Sequence, residues 1–212
     1  MKRFFQPKCK KGSIDLHEVI QSIGKQRFVH DGALPGGFTK EALSQWAQHT
    51  WKDSKEPYVD LYSEKISPEC TEYLKHQSNP SSDLTKCFFG SNRFLPERCM
   101  LTLIFRENYI LPDVFNTDSK FLAWNVAAHT PLETICTWEL RQTVKGCTMI
   151  GFDPQLRRIY HGNCIHSSFA DNDMFRAMLP LHNNYAKFLL NGMVNQIEDQ
   201  SRTGVSSAKK IQ

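Results

Sequence analysis

The sequence is short of the features that usually name a chemistry. No apolar run approaches the ~20 residues of a membrane-crossing helix, so an integral membrane protein of the helical kind is not expected. There is no Gly-rich phosphate loop and no nucleophile motif, and the activity expected is therefore independent of a cofactor. His129, His161, His166 and His182 are scattered, with no pair at ligand spacing on a helix or strand, so no metal is expected. The seven cysteines are odd in number and include no CxxC pair. They read as free thiols in a reducing compartment rather than as a disulfide scaffold. Three of them, Cys136, Cys147 and Cys164, fall in apolar strand patterns, where a thiol behaves as a small hydrophobe.

Basic charge is also scarce. The net charge is +4, and much of it sits in Lys2, Arg3, Lys8, Lys10 and Lys11 at one end and Arg202, Lys209 and Lys210 at the other. Without a basic stripe elsewhere, these runs read as solvated tails and no nucleic-acid partner is expected. The first residues have no apolar stretch of the secretory kind, which points to a cytoplasmic location, while a cleaved organelle transit peptide remains compatible with them.

What is present is an ordinary globular composition, 40% hydrophobic and 23% charged, enough to bury one core. The chain is organised around Phe121 to Asn195. Phe121–Ala128 alternates loosely as a strand, with Leu122, Trp124, Val126 and Ala128 on one face. Glu133–Arg141, Cys147–Phe152 and Arg157–Ile165 are three more strands, separated by turns at His129–Pro131, Thr143–Gly146 and Asp153–Gln155. Links this short join only antiparallel neighbours, so the four form a meander. Gly162, with no side chain to pack, predicts a bulge or a close approach.

A long helix follows, capped among Asp171, Asn172 and Asp173. Met174, Met178, Leu181, Tyr185, Phe188 and Gly192 draw a stripe along it, widened by Leu189 and Met193. Pro180 predicts a kink or a new start. Glu198 and Asp199 oppose the helix dipole and predict fraying ahead of them.

Taken in order, residues 1–12 read as a basic flexible lead. A helical N-terminal extension spans 13–57, with helices from Ser13 and Thr39, a short extended piece at Gln26–Val29 and a Gly-rich loop from His30 to Phe38. An α+β domain follows over 58–200, and 201–212 reads as a disordered tail. Tyr58–Ile66 is the first strand of that domain. A helix is expected at Pro68–Gln77 and, after a loop at Ser78–Ser82, a short helix or turn at Asp83–Phe89; from Pro96 to about Asn108 the Leu101–Phe105 core is compatible with a strand, and length favours a helix.

This order (strand, helices, antiparallel meander, long last helix) resembles the helix-grip fold of the START and polyketide-cyclase-like superfamily. The resemblance covers roughly Tyr58 to Gln200 and rests on element order rather than on a motif. It implies an α+β fold whose sheet grips the last helix and leaves an apolar cavity between them. It carries over no catalytic residue. The partner it implies is an apolar small molecule or lipid.

Candidate chemistry comes from polar residues placed where such a cavity would be. His161 and Asn163 share a strand face, so His161 can serve as general acid or base and Asn163 as an anchor for a carbonyl or oxyanion. His182 borders the helix stripe and can reach the cavity rim. Trp124, Trp138, Tyr160 and Tyr185 are candidate walls, and Arg141 a candidate for a polar head group. The reading is a protein that binds a largely apolar small molecule in that cavity, with a cofactor-independent cyclase, isomerase or hydrolase as the form it takes if it is an enzyme, a point the sequence leaves open. The alternatives are a non-catalytic lipid or metabolite carrier and an interaction domain without a cavity. Convergence of polar groups inside the pocket separates the first from the second.

Overall fold

The structure is a computed structural model that describes residues 28–31, 58–140, 144–166 and 173–208. The helices expected from Ser13 and Thr39, the loop beyond Asp31, Arg141 and the last four residues lie outside them.

The class is α+β. Strand β1 (Phe28–Asp31) is followed by β2 (Tyr58–Lys65) and three helices, α1 (Pro68–Lys75), α2 (Pro80–Gly90) and α3 (Leu95–Phe105). A hairpin-linked series comes next: β3 (Lys120–Phe121), β4 (Trp124–Thr130), β5 (Glu133–Leu140), β6 (Val144–Asp153) and β7 (Arg158–Ile165). Helix α4 (Asp173–Ala208) closes the described chain. The sheet order is β1-β2-β7-β6-β5-β4-β3. Strand β1 pairs parallel to β2, and every other pairing is antiparallel. The expected meander is therefore present, and β2 extends it beside β7.

The strand alternation sorts side chains onto two faces. Cys136, Ile150, Phe152, Ile159 and Tyr62 join α2 and α4 in the main core, with Leu84, Phe88, Phe89, Leu190 and Met193. On the other face Ile135, Cys147, Met149, Tyr160 and Cys164 are buried as well. The thiols of Cys136, Cys147 and Cys164 are free, and burial pushes up those of Cys136 and Cys164.

Several local expectations are corrected. Phe121–Ala128 is not one strand but a hairpin, turning at Leu122, whose φ is +47°, and Ala123. A bulge between Val126 and Ala128 then exchanges faces, so that Ala128 leaves the face of Trp124 and Val126. His129 belongs to the inner face, where it bonds Asn79 and Thr134, each at 3.0 Å. Gly146 is in β6 rather than in a turn: the Trp138 ring lies across it, and a Cβ there would come within 2.6 Å of that ring. Gly162 marks a close approach and not a bulge, since the β2–β7 register is regular and a Cβ would stand 2.8 Å from the Asp60 carbonyl. Helix α2 begins at Pro80, inside the expected loop, because Asn79 accepts a bond from the Ser82 amide and caps it.

The last helix departs most. It runs through Pro180, which has no amide to donate to the carbonyl of Arg176, a residue exposed to water. It does not fray at Glu198 but reaches Ala208. The Glu198 carboxylate accepts from both the amide and the hydroxyl of Ser67, each at 2.8 Å, and Ser67 is the N-cap of α1. The charge that opposes its own helix dipole thus favours that of its neighbour. The buried stripe is Phe175, Ala186, Leu189, Leu190, Met193 and Ile197. Met174, Met178, Leu181 and Phe188, expected inward, are exposed.

Candidate functional site

The site begins with a charge in a strand. In β2, Tyr58, Asp60 and Tyr62 point to the inner face, opposite Ile165, Asn163 and His161 of β7. Asp60 is fully buried. A carboxylate in that position needs its lone pairs satisfied. Its Oδ1 accepts from the amide and the side-chain Nδ2 of Asn163, both at 3.0 Å. Its Oδ2 accepts from His182 Nε2 at 2.7 Å.

His182 comes from α4, two turns after Phe175. Tyr58 and Phe175 hold its ring edge-on and tilted, with centroids at 5.7 and 5.8 Å. The Tyr58 hydroxyl donates to Asn183, the next residue on α4. Because Nε2 donates to Asp60, the neutral imidazole carries its proton there and presents Nδ1 as a base. The side chain keeps 24% of its surface exposed, so it can meet a ligand while Asp60 cannot.

His161 has a different role. It is 1% exposed, and its ring packs 4.5 Å from that of Phe88. Asn163 uses one Nδ2 proton on Asp60 and turns the other toward His161 Nε2 at 3.4 Å. Thr148 donates to Asn163 Oδ1 at 3.3 Å. Burial pushes the His161 imidazole down to about 4, with Asp60 working against the shift. It is a neutral part of the wall that orients Asn163.

These groups border a cavity of about 520 Å³ between the inner sheet face and α2, α3 and α4. Most of its lining is apolar: Phe88, Phe89, Phe94, Leu101, Trp124, Trp138 and Leu189 are among the walls. The polar lining residues are Glu97, Thr148, His161, Asn163, His182 and Tyr185. Glu97 on α3 is half-buried, and desolvation pushes its carboxyl up to about 7, with His182 opposing.

Of the residues singled out from the sequence, His161, Asn163, His182, Trp124, Trp138 and Tyr185 all line this one cavity. Tyr160 does not: it is buried on the opposite face, one residue out of phase with His161. Arg141 lies outside the described residues. Asp60 and Glu97 were missed. Val59 and Leu61 make Asp60 look like the solvent side of a half-buried strand, whereas here both faces are buried. Among the described residues no three His, Cys, Asp or Glu side chains are grouped as a metal requires.

No protein-family model matches the chain, and neither a curated protein nor a solved structure is significantly similar to it.

Proposed function

We propose that the protein binds a largely apolar small molecule in this cavity and moves a proton on it, as a cofactor-independent enzyme of the cyclase, isomerase or hydrolase kind. One observation carries the reading: beside a largely apolar pocket, a fully buried carboxylate holds a partly exposed histidine at 2.7 Å. A cavity that merely shelters an apolar ligand gains nothing from a buried Asp60, which is costly to desolvate. A proton-transfer site gains a fixed tautomer and a stabilised imidazolium. In this reading His182 is the general base, Asp60 orients it, and Asn163 keeps Asp60 in place. His161 supports Asn163 rather than transferring the proton. The order of elements, with the meander facing a long last helix, is also what the helix-grip resemblance implies.

A carrier is the second reading, favoured by the exposed apolar side chains of Met178 and Leu181 at the cavity lining, where a lipid could load. The test is to incubate the protein with an organic extract of its own cells in deuterated water and follow the extract by mass spectrometry. The wild type should convert or label a compound, and His182→Gln should do so about a hundred-fold more slowly or worse. A compound that binds the wild type yet returns unchanged and unlabelled would favour the carrier.

A further inference from the structure

Resting on that reading, the structure assigns the cavity a chemical class of ligand: we infer that it selects an uncharged molecule with a hydrogen-bond-accepting oxygen, of the ketone or ester type. The indole Nε1 of Trp124 and the hydroxyl of Tyr185 are buried, without a hydrogen-bond partner, on residues that line the cavity. Buried donors are seldom left unpaired in a folded protein. An indole N–H can only donate, so what completes it must be an acceptor. The two residues come from different walls, Trp124 from β4 and Tyr185 from α4.

Charge narrows the class further. No lysine or arginine is among the described residues of the lining, and its ionisable groups are Glu97, His161, His182 and Tyr185. Asp60 stands directly behind His182. An anionic head such as a fatty acid carboxylate would stand close to the buried Asp60, with no lysine or arginine among the described lining residues to balance it. A cationic amine would leave the Trp124 donor unpaired. Desolvation favours the neutral acid at Glu97, which then offers a further donor. A neutral carbonyl compound brings an acceptor to these donors and brings in no charge.

Four isosteric probes separate the classes: acetonaphthone, ethylnaphthalene, naphthoate and naphthylethylamine, each titrated into the full chain by calorimetry. Acetonaphthone should bind about tenfold tighter than ethylnaphthalene, with the two charged probes weaker than the ketone. Tyr185→Phe removes only the unpaired oxygen. It should lower the affinity for the ketone while that for the hydrocarbon changes far less. Equal binding of ketone and hydrocarbon would overturn the inference and leave the cavity reading intact. The same holds for naphthoate or naphthylethylamine as the tightest ligand. Failure of all four to bind would overturn both.

Discussion

Asp60 and His161 show how burial decides what a polar side chain does. Asp60 is saturated by three donors, so removing it strands them. Asp60→Ala should cost about 3 kcal/mol in urea unfolding, because Asn163 and His182 lose the group that satisfies them. Asp60→Asn keeps the shape but not the charge, and should be milder in stability than in turnover. His161 gives a pH signature. Its folded value, about 4, lies below its ordinary value of 6.5. As pH falls past 6.5 the unfolded chain takes up this proton and the folded chain does not. Stability from this group is therefore whole above pH 6.5 and is lost progressively down to about 4, by about 3 kcal/mol in all. His161→Asn should flatten that part of the profile in unfolding experiments run from pH 7 to 4. An identical slope in the variant would assign the acid sensitivity to other groups. Residues of this kind were half legible in the sequence. His161, Asn163 and His182 stand out as polar groups in apolar periodic segments, but their division of labour depends on Asp60, which is distant in sequence from all three.

At the scale of elements, hydrophobic periodicity was enough to place β5, β6, β7 and the long helix, because each is a sustained pattern bounded by turn residues. Periodicity could not show the hairpin at Leu122 or the face exchange at the β4 bulge, since each changes phase within a residue or two. Nor could it phase α4 correctly, because apolar residues occupy more than one side of that helix and only packing chooses between them. The end of α4 was hidden for a different reason: the partner of Glu198 is Ser67, 131 residues earlier. Glu198→Ala should unfasten the start of α1, at a cost of about 1–2 kcal/mol, seen as a lower urea midpoint and faster amide exchange at Cys70 and Thr71. Gly162→Ala tests the β2–β7 contact. The added methyl would meet the Asp60 carbonyl at 2.8 Å and push β2 from the site. It should lower both the melting temperature and ligand affinity, whereas a silent Gly162→Ala would contradict the close approach.

At the scale of the whole fold, among the described residues, a seven-stranded sheet and the helices α2, α3 and α4 border a space that their side chains leave unfilled, and a polar cluster faces into it. The sequence carries the class of this architecture in the order of its elements. It does not carry the cavity, which depends on how far α3 and α4 stand from the sheet. The central claim is that this space holds a small molecule. The most direct measurement is native mass spectrometry of the protein equilibrated with the organic extract of its own cells, beside Ala186→Phe, which fills the cavity from α4. The account predicts a one-to-one adduct with an apolar compound in the wild type and its loss in Ala186→Phe. The bare polypeptide mass in both, or an adduct that Ala186→Phe retains, would contradict it.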